Sequence, residues 1–303
     1  MIIPTYFRYD PLRAVLEALC GQTLPPDEVI VVDQAPEEVR PPGFYSEFAD
    51  RMTLKVFHHP EPSISVPRNI GASIARNELM LFLDDDILIP SDLIQNHVTV
   101  MSQENVDVLN GASTRQEELP TEYPWDTATM DPVRLFMVAP NYRWSGMMIG
   151  VSSLNFMVKR SAIIRVGGFD PHIPRMVDFE IGYRLFRSGA KIFYSDIPAI
   201  RHLRDPQGGS RKSLRENAAQ VSAIYMHLKH FPGWTLQQFM LRLFLKATVG
   251  RTSRRRPWRI PGEVYRVTRA YREAQSRLKL ARKDDSSGGW QGLTEDYEPD
   301  ALV

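Results

Sequence analysis

The apolar run Met80-Leu81-Phe82-Leu83 passes directly into Asp84, Asp85 and Asp86. A buried strand cannot carry three adjacent carboxylates in its interior, so they must lie at its end, where water, a cation or a ligand offsets their repulsion. Carboxylates at a strand end suit a hard divalent cation such as Mg²⁺ or Mn²⁺, above all one that also holds a diphosphate. A solvated acidic turn is the competing reading of the three residues taken alone.

The surrounding pattern favours a site. Short apolar runs at Ile2-Ile3, 29–32, 54–57, 80–83 and 106–109 alternate with helical periodicity after Asp10-Pro11, over 66–76 and from Ser91, as expected of βα units and a largely parallel sheet. Strand 1 then ends in Pro4-Thr5-Tyr6, strand 2 in Asp33 and strand 4 in the three acids, with Arg68 near the start of the second helix. These positions share the carboxyl edge of the sheet, where open α/β sheets bind ligands. Asp33 there could accept from a base imide or a ribose hydroxyl, or only cap a turn; Arg68 could neutralise phosphate or fix the base, or only solvate a helix start. His58-His59 reads as a strand end.

Composition narrows the class. Hydrophobic residues at 43% and charged residues at 24% are ordinary globular values, and no stretch has the ~20 apolar residues of a membrane span. Met1-Ile2-Ile3-Pro4 has no basic flank of a secretory signal, so a cytoplasmic protein is expected. Cys20, the single cysteine, lies among Leu12, Leu16 and Leu19 and reads as a small core residue. No Gly-x-Gly-x-x-Gly follows the first strand, which disfavours a dinucleotide oxidoreductase.

The net charge of +1 hides an asymmetry: 242–283 carries fourteen Lys or Arg against Glu263 and Glu273, and 284–303 carries six acids and no base. The body is mildly acidic and the extension strongly basic. Residues 236–259, with Phe239, Leu243, Phe244, Leu245 and Trp258 among basic residues, read either as a helix packed on the body or as a peripheral contact with an anionic membrane surface. The later periodicity of Val264, Val267, Tyr271, Ala274 and Leu278 would also support a homo-oligomer. Arg115 to Tyr142 reads as a long surface loop.

Taken in order, Ile3-Pro4-Thr5-Tyr6, Gln22-Thr23, Glu28 to Asp33, Pro67-Arg68-Asn69-Ile70-Gly71-Ala72 and Phe82 to Asp86 resemble family 2 glycosyltransferases of the GT-A fold. The resemblance continues through Asn155, Gly167-Gly168-Phe169-Asp170, Asp178 to Leu185 and His202, and covers about residues 1–205. It implies a Rossmann-like, mostly parallel mixed sheet flanked by helices. It also implies inverting transfer of a sugar from a nucleotide-diphosphate sugar to a hydroxyl on a carbohydrate or lipid-linked acceptor, with Mn²⁺ or Mg²⁺, in synthesis of polysaccharide, glycolipid or glycoconjugate. By the resemblance, Pro4, Thr5, Tyr6, Asp33, Arg68, Asp84 and Asp85 bind the nucleotide sugar, and Asp86, His202 and Asp84 the metal. Asp178 is the general base, with Glu180 as second candidate, and Asn155, Gly167, Gly168, Phe169 and Asp170 mark the acceptor or sugar region. Glu180 could instead pair with Arg184 on an exposed helix face.

The sequence departs from the family at Val177, where Glu is common, and at Gln34, where a second acid is common. The opening strand is shorter than is usual in relatives, so the sequence is expected to omit part of it. The expected organisation is a catalytic domain over 1–210, with a nucleotide-sugar half to about 112 and an acceptor half beyond it. A helical basic extension over 211–283 and a disordered acidic tail over 284–303 complete it. The alternatives are a GT-A nucleotidyltransferase or nucleotide-sugar-binding protein without transfer, and a nucleic-acid-binding protein acting through the basic tail. The tail has no nucleic-acid reading motif, so no nucleic acid is expected as a partner.

Overall fold

The computed structural model describes residues 1–114, 145–203, 212–250 and 256–285. The expected loop over 115–142 and nearly all of the acidic tail lie outside the described residues.

A nine-stranded sheet organises the described residues. Its first half is built by βα units: β1 (Ile2–Thr5), α1 (Tyr9–Cys20), β2 (Val29–Asp33), the short α2 (Ser46–Ala49), β3 (Leu54–His58), α3 (Val66–Ile74) and β4 (Leu79–Leu83). The four strands lie parallel in the order β3-β2-β1-β4. Short as it is, β1 lies inside the sheet, between β2 and β4. All five residues of β2 are buried, as a strand covered on both faces requires. Leu12, Val15, Leu16 and Leu19 of α1 pack with Ile3, Val29 and Val31 on one face, while Ile70 and Ala72 of α3 pack with Ile2, Ile30 and Val32 on the other.

The second half changes pattern. After the two-residue β5 (Ile87–Leu88) and α4 (Leu93–Glu104) come β6 (Val108–Thr114), β7 (Ser145–Met147), β8 (Asn155–Lys159), α5 (Arg160–Arg165), α6 (Val177–Arg187) and β9 (Ile192–His202). Strand β8 runs antiparallel between β4 and β6, β6 and β9 are parallel, and β5 and β7 pair antiparallel with β9. Parallel pairing therefore dominates only the first half. At Gly111 an added Cβ would lie 2.2 Å from the Asn155 amide nitrogen and from the Pro198 carbonyl, so β6, β8 and β9 approach this closely only around a glycine.

Three helices, α7 (Lys212–His230), α8 (Trp234–Val249) and α9 (Ile260–Asp285), follow the sheet. Val221, Ile224, Tyr225 and Met226 of α7 and Ala270, Ala274 and Leu278 of α9 join the same core cluster as α6. Ionic contacts fix the interface. Asp170 accepts hydrogen bonds from the Tyr225 hydroxyl and Lys229 ammonium, each at 2.6 Å. Glu180, fully buried, accepts from Arg184 Nε at 2.8 Å and from Lys229 and His230 at 3.0 Å each. The Glu180–Arg184 pair anticipated from the sequence forms, but on a face buried against α7 and not an exposed one.

Burial alone would raise the Glu180 carboxyl; Arg184, His230 and Lys229 outweigh it and hold the group well below the usual carboxylate range. A depressed carboxyl contributes stability above its unfolded value, and that contribution is lost as pH falls through the folded value. The anchor therefore persists below about pH 4, the ordinary glutamate range. Removing one partner of a buried ionic set costs about 3–5 kcal/mol. Glu180→Gln is expected to lose that much in chemical denaturation, and a loss below about 1 kcal/mol, the range of a surface pair, would refute the anchoring role.

Candidate active site

The site forms where four strand ends meet. Asp84, Asp85 and Asp86 fill the turn between β4 and β5, and the pairing of β5 with β9 sets Ile87 opposite His202. A backbone hydrogen bond from Leu203 to the Asp86 carbonyl, 2.9 Å, closes that ladder. His202 Nε2 thus lies 3.2 Å from Asp86 Oδ1. One ligand atom from each of Asp84, Asp86 and His202 falls within a 4.8 Å span. Two carboxylates and an imidazole are donors that Mn²⁺ or Mg²⁺ accepts, so the residues fit the expected cation. The hydrogen bond to Asp86 raises the His202 pKa, with burial opposing it and the charges of Asp86 and Asp84 adding to it.

Asp85 faces inward. It accepts from the Thr5 hydroxyl at 2.8 Å and from Arg8 Nη1 at 2.7 Å, and Arg8 Nη1 also lies 3.0 Å from Asp86. Burial pushes the Asp85 carboxyl up to about 6, against the pull of Arg8 and Thr5. Burial also opposes the Arg8 charge, but Asp85 and Asp86 outweigh it and raise its pKa. Asp85 thus ties the tip of β1 to the acidic turn. Arg68 is buried and donates to Asp84 at 2.7 Å and to the Ile64 carbonyl at 2.6 Å.

Asp33, at the end of β2, is fully buried and heavily engaged. Its Oδ2 accepts from the Tyr9 and Tyr45 hydroxyls at 2.9 and 2.8 Å, and its Oδ1 from the Ala35 amide at 2.9 Å. Burial and then the Asp33 charge push both tyrosine hydroxyls upward, so they stay protonated and donate. Pro4 and Tyr6 are half-buried at the tip of the neighbouring β1, and the Tyr6 ring meets Phe7 edge-on.

Asp178 lies in the first turn of α6, after Met176 in a left-handed conformation with φ 63°. Its carboxyl is raised by burial; Ser153 and Arg68 lower it and Asp84 raises it further, so it senses the charges of the acidic turn. Its Oδ1 is buried and has no hydrogen-bond partner among the described residues. Gly182 lets α6 lie against residue 150, since an added Cβ would stand 2.6 Å from the Gly150 Cα.

The other anticipated residues hold the scaffold. Asn155 is buried, donates to the Ala112 and Pro198 carbonyls and meets the His97 ring at 2.8 Å, so its amide is fully engaged. Burial lowers the His97 pKa to about 4. Gly167 and Gly168 turn with φ 74° and 70° and seat Phe169 in the core against Phe82 and Phe156. Asn69 grips the Phe169 backbone from both sides at 2.7 Å, and Asp170 anchors α7. The Asn155 and Asp170 side chains are thus occupied by contacts within the fold. A cleft of about 410 Å³ lined by Tyr183, Arg184, Arg187, Lys229 and His230 lies beside α7, but Arg184, Lys229 and His230 already serve Glu180.

Sequence reasoning missed Arg8, Tyr9, Tyr45 and Ser153. The β1–α1 turn must share the ligand edge with Thr5, a signal that would have found Arg8 and Tyr9. Tyr45 and Ser153 reach the site by long-range folding and left no local pattern.

A family model described as glycosyl transferase family 2 matches residues 1–167. The chain belongs to glycosyl transferase family 2. It is by that membership a glycosyltransferase. The solved structure of S. aureus TarS 1–349 in complex with UDP-GlcNAc is similar to this family 2 chain at 14% identity and TM-score 0.55, covering 95% of this chain and 91% of that one. The same TarS fragment in complex with UDP gives 14% identity and TM-score 0.52, with 92% and 90% covered. Against the longer TarS structure, at 14% identity and TM-score 0.52, the match covers 91% of this chain and spans only 54% of that one. At these identities the likeness is one of fold, the GT-A arrangement. A comparison with curated proteins finds no match.

If Asp84, Asp86 and His202 hold a cation, Mn²⁺ at 100 times its dissociation constant adds about 2.7 kcal/mol of stability. Thermal melts should show an upward shift with Mn²⁺ that Asp86→Ala removes; an equal shift in the variant would refute the assignment.

Proposed function

We propose that this family 2 enzyme transfers a sugar, with inversion, from a nucleotide-diphosphate sugar to an acceptor hydroxyl, with Asp178 as general base. One observation carries the reading: the Asp178 carboxylate keeps a buried oxygen with no hydrogen-bond partner among the described residues, and Asp84, whose charge contributes to raising it, groups with Asp86 and His202. In this reading the candidate metal ligands and the proton acceptor share one edge of the sheet. The complexes of TarS with UDP and UDP-GlcNAc support a nucleotide-sugar donor in the same fold.

In this reading the β1 tip, with Pro4, Thr5 and Tyr6, and Asp33 with its two tyrosines frame the nucleoside. Arg8 and Arg68 set positive charge beside the acids and limit their repulsion where a diphosphate would enter. A divalent Mn²⁺ or Mg²⁺, when bound by Asp84, Asp86 and His202, would stabilise the diphosphate leaving group. Asp178 takes the proton of the acceptor hydroxyl as that oxygen attacks the anomeric carbon from the face opposite the diphosphate. Glu180 is not suited to this task, because its oxygens are held by Arg184, Lys229 and His230. A raised Asp178 pKa strengthens the carboxylate as a base, and activity falls as pH drops through that raised value.

Asp178→Asn should cut turnover about 10²-fold or more while leaving donor affinity near normal, and the low-pH limb of kcat should disappear with it. Unchanged turnover would refute the base assignment. A thermal-shift panel of UDP-, GDP- and dTDP-sugars with Mn²⁺ identifies the donor. If none of these raises the melting temperature, the donor reading fails.

A further inference from the structure

Helix α8 is apolar around most of its circumference, yet the described residues of the body cover only one side. Phe239 and Ala247 are buried, and Leu236, Met240 and Leu243 half-buried, along the inner face. On the outer face Trp234, Leu241, Leu245 and Val249, spaced by seven, four and four residues, are 71, 59, 47 and 48% exposed. Phe244 flanks that stripe, and Trp258, in the short turn before α9, is 73% exposed. A helix with apolar residues on both sides is normally covered on both sides. The outer stripe therefore calls for a second surface.

Charge selects that surface. Arg242 and Lys246, both exposed, border the stripe, and Arg256 and Arg259 flank Trp258. From 234 to 259 the sequence has seven Lys or Arg and no Asp or Glu. A second copy meeting this face about a two-fold axis would set Arg242 and Lys246 against the same cations of its partner. A nucleic acid would satisfy the charge but not a stripe of Leu, Val and Phe. An anionic bilayer satisfies both, taking apolar side chains at the acyl boundary and basic ones at the headgroups. Described helices are not long and apolar enough to cross a membrane, so such a contact lies in the interface.

We propose that the outer face of α8 docks the enzyme on an anionic lipid surface, with the exposed Trp258 and its flanking arginines as a second anchor. The inference rests on α8 and the turn after it, and stands whatever donor the active site takes.

Co-sedimentation of the full chain with phosphatidylcholine vesicles, with and without phosphatidylglycerol, tests it. Binding should require phosphatidylglycerol, weaken with salt and vanish in Leu241→Glu/Leu245→Glu. Arg242→Gln/Lys246→Gln should weaken it about 30-fold, at about five-fold for each charge removed. Both variants alter exposed positions, so their melting temperatures, and any nucleotide-sugar shift of the parent, should be unchanged. No binding to phosphatidylglycerol vesicles by the parent chain would overturn the proposal, as would equal binding by Leu241→Glu/Leu245→Glu. A dimer in solution that this double variant dissolves would assign the face to a second copy instead. Binding to single-stranded DNA with no binding to vesicles would assign it to a nucleic acid.

Discussion

Mutual repulsion among Asp84, Asp85 and Asp86 is the constraint around which the rest of the structure is arranged. Each acid receives a different answer. Asp85 turns inward to Thr5 and Arg8. Asp84 is held by Arg68 from α3. Asp86 meets His202 at the end of β9 and the edge of the Arg8 guanidinium. Positive charge thus arrives from the β1 tip and α3, and an imidazole from the last strand, so parallel and antiparallel halves of the sheet converge on one turn. Leaving such acids uncompensated at a buried strand end would be strongly unfavourable.

A second, independent charge problem is solved on the far side of α6. Asp178 and Glu180 are two residues apart on one helix, yet their surroundings assign them opposite work. Burial outweighs the groups that stabilise charge at Asp178 and raises it. Three basic side chains outweigh burial at Glu180 and depress it. The helix that carries Asp178 is therefore pinned from behind to α7 through Glu180, which limits how far Asp178 can drift.

The strand ends at Asp33 and at 84–86 were legible because apolar runs stop abruptly at polar residues, and the order of short motifs identified the family. His202 was legible only by resemblance, since the β5 pairing that brings it to Asp86 is two residues long. Asn155 and Asp170 show where residue type alone does not decide a role. A buried amide saturated by carbonyls and a carboxylate anchoring a distant helix have the same residue types as substrate contacts, and only long-range geometry separates the two. The antiparallel turn of the second half was equally hidden, because a short strand such as 155–159, with three apolar residues at its centre, does not disclose its direction.

The two-residue ladder between β5 and β9 also orders events in time. The acids belong to the first third of the chain and the imidazole to the end of the last strand, so a chain emerging from its N-terminus has the carboxylates long before their third partner. Until β9 is laid against β6 and its end reaches β5, the acidic turn lacks its imidazole. The grouping of Asp84, Asp86 and His202 is thereby complete only once the last strand is in place, and a chain that lacks β9 lacks that grouping.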